Sequence, residues 1–178
     1  MVTLHVRDRK ETDLNNFSDT RLAVLCNLSA RLRGEYLSKR REDFLEDAIT
    51  FATAATDASP FDRAVQKAGY ERNIQSAVRL NLSKALKSKY QMHGDFGNLE
   101  RAIALVQEAM DIYAASALPD QDQQVSLVND FALMMRLRYI ETGELGDLDI
   151  GIARIRGILQ GKYSDPEIMA FAVCTDIK

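Results

Sequence analysis

Apolar residues recur along this chain with the spacing of an α-helix. From about residue 21 they step by three or four positions, which places them on one side of a helix. Three such stripes each end on a tyrosine, and each is followed, after a short polar turn, by a second stripe. The first stripes are Leu25, Leu28, Leu32 and Tyr36; Val78, Leu82, Leu86 and Tyr90; and Leu127, Phe131, Met135 and Tyr139. The second stripes are Leu45, Ile49, Ala52 and Ala55; Leu99, Ile103, Val106, Met110 and Tyr113; and Leu148, Ile152, Ile155 and Leu159. The pattern predicts three helical hairpins whose core consists of these stripes, with Tyr36, Tyr90 and Tyr139 between neighbouring hairpins.

The three predicted hairpins also resemble one another in sequence. Moved forward by 49 positions, residues 82–103 fall on residues 131–152 without a gap, so that Tyr90 meets Tyr139 and Gly94 meets Gly143. A weaker copy lies 54 positions upstream, where Arg40 takes the place of Gly94. A self-match at a fixed offset is the signature of a repeat array. These two offsets define equivalent positions in the three hairpins.

The predicted fold class is all-α: an α-solenoid of about three antiparallel helical hairpins, with a half-repeat helix at the C-terminus. The expected repeats span about 21–60, 76–119 and 123–161, with a partial repeat at 166–178, all within one domain at 21–178. Residues 1–20 are interpreted as a polar tail or irregular lead-in, or as the worn end of an earlier repeat. The three prolines of the chain follow the second stripes, where a missing N–H costs little; they are Pro60, Pro119 and Pro166.

Glycines mark the expected turns inside two of the hairpins. Gly94 and Gly143 lie four residues after the tyrosines. Glycine readily adopts the left-handed conformation that ends many helices, so we expect these two residues to end the first helices. Asn98 and Asp147 follow, and they are predicted to cap the N-termini of the second helices.

The repeated residues resemble a tetratricopeptide-type (TPR-like) repeat. The resemblance is carried by Asn81-Leu82, Leu86, Lys89-Tyr90, Gly94, Asn98-Leu99 and Ala102-Ile103, and it extends from about residue 21 to residue 160. Within that family, the repeated pattern is similar to the long fungal-type variant found beside CHAT and NACHT domains. The next copy departs at Asp130-Phe131 and at Gly151. The resemblance implies a superhelical scaffold that binds other proteins, with no catalytic residue and no cofactor.

Composition agrees with a folded domain and sets limits on its partners. The chain has 178 residues, of which 46% are hydrophobic and 28% charged, which is typical of a globular protein. A net charge of −3 favours no nucleic-acid partner. The first residues do not resemble a signal peptide, and no apolar run approaches the roughly 20 residues of a membrane span. We therefore expect a cytoplasmic protein that binds neither nucleic acid nor membrane.

Several short strings imitate active-site motifs without their companions. Asp95-Phe96-Gly97 matches the metal-binding triplet of kinases, but the other kinase signatures are missing. The run from Gly157 to Lys162 resembles a phosphate-binding loop that is one residue short and lacks the final Ser or Thr. The two histidines, His5 and His93, have no spaced ligands beside them. We therefore expect no enzyme activity and no metal site.

Basic residues recur at equal positions of the first helices. Arg33, Lys87 and Arg136 lie three residues before each tyrosine and form a first column. Lys89 and Arg138 form a second column, which Glu35 interrupts in the first hairpin. One interpretation is charge compensation, because cations at a helix C-terminus offset the macrodipole and can pair with acids at the next N-terminus. The other is a groove that binds an acidic peptide or a C-terminal carboxylate.

The functional expectation is a protein–protein interaction scaffold or adaptor, or the repeat segment of a larger signalling protein. A stack of hairpins forms a concave surface, and we expect a peptide or partner protein to bind there on the first helices. The alternative is a self-associating structural module, in which the apolar helix expected at 166–178 forms a homo-oligomer.

Overall fold

The structure, a computed structural model, describes residues 3–58, 69–115 and 121–160. These residues form six α-helices and no strand, which confirms the predicted all-α class. The helices are α1 (Thr3–Lys39), α2 (Glu42–Asp57), α3 (Gly69–His93), α4 (Phe96–Ala114), α5 (Gln121–Thr142) and α6 (Leu145–Gln160). The three prolines and the half-repeat expected at 166–178 lie outside the described residues.

The chain forms two compact units, Met1–Pro119 and Asp120–Lys178. In the first unit α1 packs against α2 and α3 packs against α4, while α3 also contacts both helices of the preceding hairpin. In the second unit α5 packs against α6. Each first helix thus pairs with the second helix that follows it, as the sequence predicts. The continuous solenoid and the single domain at 21–178 stay predictions.

The first helix begins much earlier than the apolar pattern indicates. α1 starts at Thr3 and continues without a break to Lys39. The irregular lead-in expected at residues 1–20 is therefore wrong for residues 3–20. Those residues lack a regular apolar stripe, so periodicity alone could not assign them to a helix.

Many residues of the apolar stripes are buried in the core. All four residues of the stripe on α3 are buried, and on the second helices Leu45, Leu99 and Val106 are fully buried. Between the first two hairpins, Tyr36 and Leu45 pack against Ala85 of α3, and the Tyr36 hydroxyl lies 3.7 Å from the Met92 sulfur. The predicted position of Tyr36 between hairpins is thus confirmed.

The first helix of every hairpin ends in the same left-handed turn. Gly94 and Gly143 have φ of +73° and +76°, and Arg40, at the equivalent position, has φ of +57°. The N–H of each residue donates to the carbonyl of the tyrosine four residues earlier, at 2.7 or 2.8 Å. The prediction for the two glycines is confirmed. The first hairpin keeps this turn although it lacks the glycine.

The predicted N-caps are wrong by a few residues. α4 begins at Phe96 and its cap is Asp95, whose carboxylate accepts the N–H of Gly97 at 3.0 Å. Asn98 lies inside the first turn and donates its amide to Asp95. α6 begins at Leu145, so Asp147 also lies inside the first turn. The apolar stripes start at Leu99 and Leu148, three residues after the first residue of each helix, so they did not reveal where the helices begin.

Candidate functional site: basic columns and exposed apolar side chains

Both residues of the second basic column form ion pairs within the protein. Lys89 extends from α3 to the preceding hairpin, where its Nζ lies 2.7 Å from Glu46 Oε1. Arg138 binds Asp147 with two parallel hydrogen bonds of 2.9 and 2.6 Å. Only 10% of the Asp147 side chain is exposed, so this pair is well shielded from solvent. Arg138 pairs with the next helix of its own hairpin, as the charge-compensation interpretation predicts, whereas Lys89 pairs with the second helix of the preceding hairpin.

More charged and polar side chains meet at the turn between α1 and α2. His93 Nε2 lies 2.9 Å from Glu42 Oε1, one turn beyond the Lys89–Glu46 pair. Lys39 lies 2.7 Å from Glu35 and lowers the pKa of that carboxyl. The Arg41 guanidinium binds Asp43 and lowers the pKa of Asp43 in the same way. The Lys39–Glu35 and Arg41–Asp43 pairs are exposed, so solvent screens them and they contribute little to stability.

The first basic column lies farther from the helix ends. Arg33 and Lys87 are half-buried, and Arg136 is exposed. Each residue precedes the last residue of its helix by more than one turn. The structure describes Arg33 and Lys87 in the first unit and Arg136 in the second. The three residues of the column share the same position on their respective first helices.

A buried cation on α3 escaped the sequence analysis. Arg79 is only 3% exposed; its Nε lies 3.1 Å from Glu108 Oε2 and one of its terminal nitrogens lies 3.3 Å from the Gln75 carbonyl. The equivalent residues in the other hairpins are Leu25 and Val128, so the apolar pattern marks this position as core. That difference between copies is the signal that could have revealed it.

The only cysteine among the described residues lies at the contact between the first two hairpins. The Asn81 amide donates to both the carbonyl and the sulfur of Cys26, at 3.3 and 3.0 Å. Burial raises the pKa of the Cys26 thiol, and the hydrogen bond from Asn81 opposes that shift. A protonated, half-buried thiol is a weak nucleophile. Cys26 therefore contributes to packing.

Large apolar side chains are exposed mainly on the third hairpin. Val24, Leu37 and Phe96 are exposed in the first unit. The second unit exposes Ile140, Leu145, Ile150 and Ile152, all within a short stretch around the turn between α5 and α6. Burial of Ile152 was predicted from the second stripe, and that prediction is wrong. Clusters of exposed apolar residues often mark sites of contact with other molecules.

The strings that imitate active-site motifs have structural roles where they are described. Asp95-Phe96-Gly97 forms the N-terminal cap and first turn of α4. Gly157 lies within α6, whereas residues 161 and 162 lie outside the described range. The described residues contain no group of three His, Cys, Asp or Glu side chains that could hold a metal ion. Among the described helices, none combines the length and apolar character needed to cross a bilayer.

Comparisons with protein-family models, with curated proteins and with solved structures find no match for this chain. The resemblance to TPR-like repeats, the absence of enzyme activity and the cytoplasmic location therefore stay predictions. Self-association through residues 166–178 concerns residues outside the described range, and it also stays a prediction.

Proposed function

We propose that the protein is a binding scaffold and that its first basic column recognises an acidic segment of a partner protein. The observation that carries the proposal is the recurrence of a cation at the same position in all three first helices: Arg33, Lys87 and Arg136. Each hairpin contributes one such residue. Guanidinium and ammonium groups bind carboxylates through charge-assisted hydrogen bonds, so the column suits an acidic peptide.

Helix-end compensation explains this column poorly. An α-helix has 3.6 residues per turn, and the macrodipole acts within the last turn. Arg33 precedes the end of α1 at Lys39 by more than one turn, and Lys87 and Arg136 have the same spacing from His93 and Thr142. A reason other than the macrodipole is needed for a cation at this level in every hairpin.

The second column has a different role in this proposal. Lys89 binds Glu46 across the first two hairpins, and Arg138 binds Asp147 within the third. Both residues therefore have a structural task that accounts for their charge. We assign connection of the helix ends to Lys89 and Arg138. The assignment of recognition to Arg33, Lys87 and Arg136 rests on their recurrence alone.

The test compares acidic and neutral peptides on matched variants. A fluorescein-labelled peptide with a run of glutamates and the same peptide with glutamines are titrated into the protein at two salt concentrations. We expect the acidic peptide to bind and the glutamine peptide not to bind. The double variant Arg33→Ala, Lys87→Ala, with both substitutions in the first unit, should lose at least about tenfold in affinity and most of the salt dependence, since two charge-assisted contacts are removed.

Arg101→Ala is the matched control, because Arg101 is an exposed arginine of α4 outside both columns. It removes one positive charge from the surface and should leave the affinity nearly unchanged. Equal affinity of the double variant and the unmodified protein for the acidic peptide would exclude recognition by this column.

A further inference from the structure

A stripe of partly exposed residues runs along α3. Its members lie three or four positions apart and therefore share one side of the helix; they are Ala77, Asn81, Lys84, Lys87 and Gln91. Between positions 81 and 87, every residue other than Lys84 is buried. Lys87 thus belongs to the side of α3 that stays accessible to a partner.

The chain runs in the same direction in α1 and α3. Two clusters of buried residues join both helices to α2, one near each end of α2. Their members are Leu22, Ala55 and Val78 near the C-terminus of α2, and Tyr36, Leu45 and Ala85 near its N-terminus. Because α1 and α3 both meet α2 in the antiparallel direction, they are parallel to each other.

Contacts between α1 and α3 show that the two helices lie side by side in register. The Asn81 amide donates to the Cys26 carbonyl at 3.3 Å, and the Tyr36 hydroxyl lies 3.7 Å from the Met92 sulfur. These partners are 55 and 56 positions apart in the chain, close to the repeat offset of the first two hairpins. With a rise of about 1.5 Å per residue, equivalent positions of α1 and α3 differ in height by about 3 Å or less.

The two helices also have the same rotation about their axes. Ser29 of α1 donates to the Ala48 carbonyl of α2 at 2.8 Å, and Ser83 of α3 makes the same contact with Ala102 of α4 at 2.7 Å. The two column residues of the first unit each follow their serine by four positions. Their side chains therefore start from equivalent sides of α1 and α3.

The separation of Arg33 and Lys87 follows from this arrangement. Packed helices lie about 8–10 Å apart, so two cations at the same level and on equivalent sides are separated by about this distance. In a polyproline II segment, every third side chain points the same way, at intervals of about 9 Å. Side chains on one face of an α-helix repeat after about 6 Å, and those of a β-strand after about 7 Å. The polyproline II repeat fits the two cations best.

We propose that the partner's acidic segment binds in the polyproline II conformation and carries a carboxylate at every third position. This inference rests on the proposed function and specifies its ligand: Arg33 binds one carboxylate and Lys87 the next. Polyproline II is a major conformation of unfolded chains, so such a segment loses little conformational entropy on binding. An α-helix would match the spacing only at every seventh residue, and a short isolated helix is marginal in water.

The test compares three fluorescein-labelled peptides of identical length and composition. Each contains two glutamates among prolines and glutamines, and the glutamates are two, three or four positions apart. Fluorescence anisotropy at low salt measures their affinities for the full chain. We expect the peptide with the three-position spacing to bind at least about fivefold more tightly than the other two, because only its carboxylates reach both cations from one side.

Variants of Lys87 show whether the column reads the spacing. Lys87→Ala should make the three affinities equal, because a single cation cannot distinguish one spacing from another. Lys87→Arg keeps a cation and should keep the preference. Arg101→Ala, at an exposed position of α4, is the matched control and should also keep it. Circular dichroism should show the same helix content for Lys87→Ala and the unmodified protein, since Lys87 lies on the accessible stripe.

The inference and the proposed function can fail separately. If the run of glutamates binds through the column but the three spaced peptides bind the unmodified protein equally, the spacing inference is overturned and the proposed function stands. A preference that survives Lys87→Ala would also overturn the inference. If no acidic peptide binds, both are overturned.

Discussion

Arg40 shows how a single residue can retain a turn without the usual glycine. Its φ of +57° lies in the left-handed region, as do those of Gly94 and Gly143 at the equivalent positions. For an L-residue with a β-carbon this conformation costs about 1 kcal/mol. The same hydrogen bond to the preceding tyrosine forms in all three turns. The position in the repeat therefore determines the left-handed conformation of this residue, and the residue type determines how much free energy that conformation costs.

Exchanging residue types at the equivalent turns should therefore change stability in opposite directions. Arg40→Gly should raise the free energy of unfolding by up to about 1 kcal/mol, because the strain of a side chain at positive φ is relieved. Gly94→Ala should lower it by about 1 kcal/mol, because the same strain is introduced. Urea unfolding followed by circular dichroism measures both. A destabilising Arg40→Gly would contradict a strained turn at this position.

At the scale of the helices, α3 differs from its equivalents by holding a cation in the core. Arg79 is buried and binds Glu108, whose side chain is 53% exposed. Removing the charged partner of a buried cation is costly, although solvent near Glu108 reduces the effect. The pair connects α3 to α4 at a level where the other hairpins have Leu25 or Val128 on the first helix.

A double-mutant cycle can measure this interaction. Glu108→Gln should lower the free energy of unfolding by about 1 kcal/mol. In a chain that already carries Arg79→Leu, the same substitution should have almost no effect, because the cation is gone. Asp111→Asn, at an exposed position of α4, serves as the control and should stay within about 0.5 kcal/mol of the parent protein. If Glu108→Gln lowers the free energy of unfolding equally in both backgrounds, the interaction between Arg79 and Glu108 does not contribute to stability.

The sequence predicted those features that depend on local pattern. The stripe Val78, Leu82, Leu86 and Tyr90 is buried throughout, because helical periodicity reports directly which side faces a neighbour. The turn at Gly94 followed from the conformational freedom of glycine. The turn at Arg40 could not be predicted from residue type, because arginine has no preference for positive φ.

Other features depend on neighbours that periodicity does not specify. Ile152 has the same place in the repeat as Ile49 and Ile103, yet it is exposed, because burial requires a covering element as well as an apolar side chain. Among the candidate site residues, the pairing of Arg138 with Asp147 agrees with the charge-compensation interpretation, whereas Lys89 binds Glu46 of the preceding hairpin. The assignment of Arg33, Lys87 and Arg136 to a binding surface stays a prediction.

For the whole molecule, the central claim is that the three hairpins are copies of one unit with the same helix pairing. A recurring contact supports it. In the first hairpin the Ser29 hydroxyl donates to the Ala48 carbonyl at 2.8 Å, and in the second Ser83 donates to Ala102 at 2.7 Å. In the third hairpin the equivalent residues are Ala132 and Gly151. A β-carbon added at Gly151 would lie 3.8 Å from that of Ala132, so the helices meet closely there without a hydroxyl.

Cysteine cross-linking tests this claim most directly. A β-carbon separation of about 3.8 Å suits a disulfide. With Cys26 and Cys174 replaced by serine, cysteines are introduced at three equivalent pairs of positions: Ser29 with Ala48, Ser83 with Ala102, and Ala132 with Gly151. The control pair is Ala132 with Ile152. Residue 152 is rotated by about 100° around the helix axis from residue 151, so its side chain points away from Ala132. We expect all three equivalent pairs to oxidise readily and the control pair to oxidise poorly. Failure of one equivalent pair, or equal oxidation of the control pair, would contradict the common register of the hairpins.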